Sequence, residues 1–201
     1  MKIERRTFKA EIRKDGNTRR IRGVAIVFNQ LSNDLGGFRE RIDPAALNGC
    51  DMADVCCLIN HDQSSVLGRT ASGTLSLSRA SNGLSFDCET PDTSYARDLA
   101  ACMERGDIDR CSFAFTVPVG GAVWSTDPET GGEIRTVKRI ARLYDVSVVT
   151  TPAYPQTSSE IRSAADILAE RRRSAGFSPN LATSDPAMLR RKLELEFYRH
   201  Q

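Results

Sequence analysis

The chain has 201 residues, room for one good-sized domain with appendages, and 40% of them are hydrophobic against 27% charged, an ordinary soluble balance. Its 28 Lys and Arg against 26 Asp and Glu leave a formal charge of +2, too small on its own to argue for nucleic acid. No apolar run reaches the ~18 residues needed to span a bilayer, and Met1-Lys2-Ile3-Glu4-Arg5-Arg6 lacks the apolar core of a secretory signal. The six cysteines form no CxxC pair, and only two histidines could join them, which argues against zinc. The expectation is an intracellular protein with reduced, mostly buried cysteines.

The first 155 or so residues read mainly as strands. Thr7–Ile12 and Arg20–Phe28 flank the turn signal Asp15-Gly16-Asn17. Phe38–Ile42 alternates and stops at Asp43-Pro44, an N-cap with proline at the first helical position, so a brief helix over Pro44–Leu47 is expected. Val55–Asn60 reads as a buried strand ending at His61. Gly73–Ser78 and Leu84–Cys88 straddle Asn82-Gly83, the strongest hairpin signal in the chain. Thr93–Arg105 carries Ala96, Leu99, Ala100 and Met103 at helical spacing, with Asp92 or Thr93 as cap and Gly106 at the stop.

Ser112–Val119 is the next strand, followed by a turn-rich insert over Ser125–Gly132. Ile134–Ile140 and Leu143–Thr150 close the patterned region before Pro152 and Pro155. Seven or eight strands with two short helices predict a mainly β, α+β fold whose strands form a closed or nearly closed antiparallel barrel.

Residues 1–156 are assigned to that domain and 157–201 to a helical appendage. Thr157-Ser158-Ser159-Glu160 is a capping box ahead of Ile161, Ala164, Ala165 and Leu168. Arg171-Arg172-Arg173, a loop-like Ser174–Thr183 and a helical Pro186–Arg199 with Leu189, Leu193 and Phe197 follow. The basic residues lack interleaved aromatics, so the tail reads as a solvated helix face or a docking stripe rather than a nucleic-acid reader.

Chemistry through an imidazole has almost no choice of base. His61 lies inside the patterned region, whereas His200 is the penultimate residue of the tail, a poor place for a fixed group. Ser112 stands in the apolar run Cys111-Ser112-Phe113-Ala114-Phe115, where a buried hydroxyl needs a partner. Gly106–Asp109 would put it near the start of its strand, and His61 ends its own. Side-by-side antiparallel strands would bring that end and that start together. A serine nucleophile needs a base, and the base needs an orienting group. Asp145, which interrupts Leu143-Tyr144-Asp145-Val146-Ser147-Val148-Val149, is the best-placed carboxylate. Read by periodicity alone it is an outward residue with Tyr144, Val146 and Val148 inward. Asp62 is the rival, though it should face away from its neighbour His61. Cys57 and Cys111 are competing nucleophiles, with Cys111 turned to the face opposite Ser112. Arg139 and Arg142 lie near the strand of Asp145 and could help hold a water or a loop there, or simply form a solvated basic edge.

The ordered series Asn60-His61-Asp62, Leu67-Gly68-Arg69-Thr70, Gly83-Leu84-Ser85-Phe86, Gly106-Asp107-Ile108 into Ser112-Phe113-Ala114-Phe115, and Asp145-Val146-Ser147 before Thr151-Pro152-Ala153-Tyr154-Pro155 resembles the prohead maturation proteases of tailed bacteriophages. Phe38–Ala46 fits the same pattern, and the match covers about residues 5–160. The resemblance implies a barrel of about seven strands similar to herpesvirus assembly proteases. It implies Ser112 as nucleophile, His61 as general base and then acid, and Asp145 as orienter at a position where family members usually carry glutamate.

The resemblance also implies a serine endopeptidase inside the assembling capsid in the host cytoplasm, without metal or cofactor. Its partners would be the scaffolding protein or the scaffolding segment of the major capsid protein. It would also cut itself, with Ser174–Thr183 as a candidate position, and a homo-oligomer is compatible with it. The rivals are a non-catalytic scaffold-like assembly protein and a small serine esterase using the same triad.

Overall fold

The computed structural model describes residues 3–15, 18–150 and 166–173. Contacts divide the chain into two units, Met1–Ala164 and Ala165–Gln201. In the second, residues 166–173 are helical, in line with the periodicity read through Leu168. The boundary expected at 156, the loop at 174–183 and the helix expected over Pro186–Arg199 lie outside the described residues.

In the first unit the described strands are β1 (Ile3–Asp15), β2 (Thr18–Val27), β3 (Phe38–Ile42), β4 (Cys56–Ile59), β5 (Asp62–Arg69), β6 (Leu75–Ala80), β7 (Gly83–Glu89), β8 (Arg110–Thr116), β9 (Ala122–Thr126), β10 (Glu133–Val137) and β11 (Arg142–Val149). One α-helix, α1 (Ser94–Arg105), and two 3-10 turns, Pro44–Leu47 and Thr70–Ser72, complete it. Eight strands pair in the order β5-β4-β11-β8-β1-β2-β7-β6, and β3-β10-β9 form a second sheet.

The fold is therefore mainly β with helices, but the closed antiparallel barrel is corrected. The terminal strands β5 and β6 of the large sheet do not pair, so the sheet is open. Two pairs, β4–β11 and β3–β10, are parallel. Parallel neighbours need long crossovers, and these strands are far apart in sequence, so strand counting alone could not reveal them. Two strands escaped the reading. In β5 the order Asp-Gln-Ser-Ser-Val-Leu-Gly-Arg has no alternation, and β9 falls between the strand and the insert that were expected.

Local signals explain most elements. The Asp43 carboxylate accepts the Ala45 N–H at 2.8 Å ahead of the Pro44 turn. Helix α1 buries Ala96, Leu99, Ala100 and Met103 along one face. It ends at Gly106, in the left-handed region at φ 83°, where the Asp107 N–H reaches the Cys102 carbonyl and the Gly106 N–H that of Met103. This is a Schellman ending. The β6–β7 hairpin forms, with Ala80 opposite Gly83, so its loop is Ser81-Asn82. Gly83 is needed for close approach, because a Cβ there would lie 2.1 Å from the Ile26 carbonyl oxygen.

Long β1 pairs with β8 through Ile3–Lys9 and with β2 through Ala10–Asp15, joining the two halves of the ladder. The core includes Cys57, Cys111, Phe113, Phe115, Val146 and Val148 from one half and Ile21, Ala25, Leu75, Phe86 and Cys88 from the other. Phe113 and Phe115 stack with ring centroids 5.0 Å apart.

A buried charge network ties β1 to β3 and β10. Arg135 holds Glu4 at 2.6 and 3.0 Å and Glu40 at 2.5 Å, and Arg6 holds Glu40 at 2.7 Å. Burial works against the charge of Arg135, but Glu40 and Glu4 outweigh it and raise its pKa. Two guanidiniums matching two carboxylates leave no uncompensated charge. Arg135→Met leaves two buried carboxylates to the single guanidinium of Arg6 and lowers the unfolding free energy by about 3–5 kcal/mol. Urea titration reads this as a lower midpoint. Val123→Thr, on exposed edge strand β9, serves as control and shifts it by less than about 0.5 kcal/mol.

Candidate active site

Three adjacent strands, β4, β11 and β8, build the site. β11 is parallel to β4, with Asp145 beside Cys56 and Val148 beside Ile59. It is antiparallel to β8, with Ser147 opposite Ser112 and Asp145 opposite Ala114. The expectation that the strands ending at His61 and carrying Ser112 are neighbours is corrected, since β11 lies between them. Their opposed directions still bring the end of one towards the start of the other.

The pairing of β11 with β8 slips at Tyr144. Leu143 sits opposite Phe115, but Asp145 sits opposite Ala114, so one extra residue is inserted. Opposed residues share a face and successive residues alternate, so Leu143 takes the core face with Phe115. Asp145 takes the other face, with Ala114 and Ser112. Without the bulge, Asp145 would follow Leu143 into the core. From Asp145 onward the alternation is regular, with Val146 and Val148 in the core and Asp145 and Ser147 on the site face.

His61 is carried by a hairpin tip. Ile59 pairs with Asp62, leaving Asn60-His61 as a two-residue loop in which both residues have positive φ, 51° and 59°. Type I′ hairpin loops have this pattern, with asparagine favoured first and glycine second. Histidine in the second position carries a backbone cost of roughly 1–2 kcal/mol. The Asn60 N–H bonds the Val148 carbonyl at 2.8 Å, and its Oδ1 accepts the Thr150 N–H at 3.0 Å, so the tip is fastened to the end of β11.

From that tip, His61 Nε2 lies 2.8 Å from Ser112 Oγ and Nδ1 lies 2.6 Å from Asp145 Oδ1. Ser112 and Asp145 are buried, and the side chains of His61 and Asp145 are 13% and 11% exposed, so the site is largely shielded from solvent. The structure thus brings together the three side chains singled out in the sequence. Asp62 is turned away. Its carboxylate accepts the Ser64 hydroxyl at 2.7 Å and N–H at 2.9 Å, and these bonds hold its pKa below the usual value.

The cysteine rivals are placed elsewhere. Cys57 and Cys111 are opposite Val146 and Val148 and share their core face. A hydrogen bond with Cys88, reinforced by burial, pushes the Cys57 thiol well above its ordinary pKa, and a protonated thiol is a poor nucleophile. Cys56 is the cysteine beside Asp145, and burial raises its pKa too. Arg142 begins β11 opposite Thr116, at the end of the strand away from Ser112, and Arg139 precedes it, so neither adjoins the imidazole. No group of three or more metal-ligating side chains occurs among the described residues, and no described helix is long and apolar enough to cross a membrane.

Asn60 and Ser147 stand in the sequence motifs with no role assigned to them there, and both support the site. Ser147 is fully buried and donates its hydroxyl proton to Asp145 Oδ1 at 2.7 Å. The available signals were an asparagine leading a hairpin tip and a polar residue two positions from Asp145 among valines.

A hydroxyl, an imidazole and a carboxylate in series form the arrangement of serine hydrolases, in which the imidazole takes the hydroxyl proton and the carboxylate holds the imidazolium. The comparison with protein families narrows that class to a serine protease. The family model described as Caudovirus prohead serine protease matches residues 7–170, and the chain belongs to that family. Among solved structures, the bacteriophage T4 capsid assembly protease, gp21, is similar at a TM-score of 0.47 and 12% identity, covering 73% of this chain and 96% of that one. The comparison with curated proteins finds no match.

Fastening the hairpin tip has a measurable worth. Asn60→Ala puts a Cβ-bearing residue without the amide oxygen at positive φ and destabilises by about 1–2 kcal/mol. Asn60→Gly keeps the conformation and costs less than half as much. Thermal unfolding of the two variants side by side checks the order.

Proposed function

We propose that this prohead protease cleaves peptide bonds through Ser112, His61 and Asp145. Ser112 Oγ attacks the scissile carbonyl as His61 Nε2 accepts its proton, and the imidazolium then protonates the leaving amine. A water, deprotonated by the same nitrogen, releases the acyl group from Ser112. Asp145 stays ionised throughout, keeps the proton on Nδ1 and stabilises the imidazolium. The observation that carries this reading is the unbroken series from Ser112 Oγ through the imidazole to Asp145 Oδ1, at 2.8 and 2.6 Å.

The substrates we assign are the scaffolding protein, or the scaffolding segment of the major capsid protein, inside the immature capsid in the infected host. Self-cleavage follows as a second reaction, with residues 174–183 as the candidate position. Family membership supports a role in head maturation. The further steps rest on the chemistry that role requires, since a packaged scaffold has to be cut into fragments small enough to leave.

Co-expression with the capsid and scaffold partners, followed by mass spectrometry, tests the assignment. Wild-type protein yields discrete fragments of partner and protease, and Ser112→Ala and His61→Ala yield none. Asp145→Asn slows cleavage on the order of 10⁴-fold. Fragments that persist in Ser112→Ala would move the nucleophile to another residue.

A further inference from the structure

We propose that Ser147 is a positioning residue of the proteolytic reaction, acting through Asp145; this rests on the assignment of Ser112, His61 and Asp145 above. Its hydroxyl donates to Asp145 Oδ1 at 2.7 Å, the same oxygen that faces His61 Nδ1 at 2.6 Å. One carboxylate oxygen is thereby held by two donors from two directions. Ser147 lies two positions along β11 from Asp145 and directly opposite Ser112, so the pairing of β11 with β8 fixes all three on one face.

Two physical consequences follow. Aspartate has only two side-chain torsions, and a second anchor selects which oxygen meets the imidazole and keeps it there while the proton moves. A donor to a carboxylate also favours its ionised form, so the proton on the imidazolium stays with His61. Ser147 itself cannot reach substrate or serve as nucleophile, because it has no exposed surface and its hydroxyl is committed to Asp145 rather than to the imidazole. Its contribution is the orientation and charge of Asp145.

The test uses the full chain and a peptide spanning a cleavage site mapped by mass spectrometry from the wild-type reaction. Ser147→Ala lowers kcat by about 10- to 100-fold with KM unchanged, the scale of one hydrogen bond to a charged group. It also moves the acid limb of kcat/KM to higher pH, because a carboxylate freed of one donor holds the imidazolium more tightly. Ser147→Cys, which keeps a weaker donor in a similar volume, restores part of kcat. A residue that only fills space would leave the pH profile unmoved.

In the Ser112→Ala background, where turnover plays no part, the proton resonance of His61 Nδ1–H shifts on Ser147→Ala. Asp145→Asn is run in parallel. A large loss there with an unmoved acid limb and unmoved resonance in Ser147→Ala overturns the role of Ser147 alone. A silent Asp145→Asn overturns the assignment beneath it.

Discussion

The site depends on one constraint, the insertion of β11 between β4 and β8. Parallel pairing on one side sets the height at which the Asn60-His61 tip meets β11. Antiparallel pairing on the other puts Ser147 opposite Ser112. Neither pairing alone would suffice. With β4 moved one place, His61 would reach no carboxylate. With a regular β11, the carboxylate would lie in the core beside Leu143, where an unpaired charge is strongly unfavourable. The inserted residue at Tyr144 reconciles an apolar strand interior with a charged side chain on the opposite face.

The left-handed tip is a second compromise of the same kind. A glycine after Asn60 would relax the loop, but it would leave no imidazole. The strained residue is the one that meets Ser112 and Asp145, and it is held by strand pairing below it and by the bond from Thr150 to Asn60 beside it. At the junction of the sheets the buried ions are matched in charge. The Glu4, Glu40, Arg6 and Arg135 cluster joins the two sheets and leaves the site face to neutral and singly charged groups.

Sequence reading reached the side chains of the site more readily than the architecture that holds them. With a single histidine in the patterned region, the base had no competitor, and a serine between two core residues of β8 stood out by its hydroxyl. Capping chemistry at Asp43-Pro44 and Gly106 located the Pro44–Leu47 turn and α1, because those signals act within a few residues. The parallel pairs, the open sheet edge and strand β5 were not legible, because parallel pairing has no turn to announce it and an exposed edge strand needs no alternation. Tyr144 illustrates the limit best. It reads as one more inward residue, and the bulge it forms depends on the register of two other strands.

The order in which these strands occur along the chain bears on how the enzyme is born. His61 and Ser112 are 51 positions apart, and His61 and Asp145 are 84 apart. The strand that must slide between their two carriers is the last of the sheet to be synthesised. Until it arrives, β4 and β8 have no shared neighbour, and their side chains have no fixed relation. A chain that still lacks β11 therefore has no assembled site, and His61, Ser112 and Asp145 come together only once β11 has paired with the distant β4 as well as with β8.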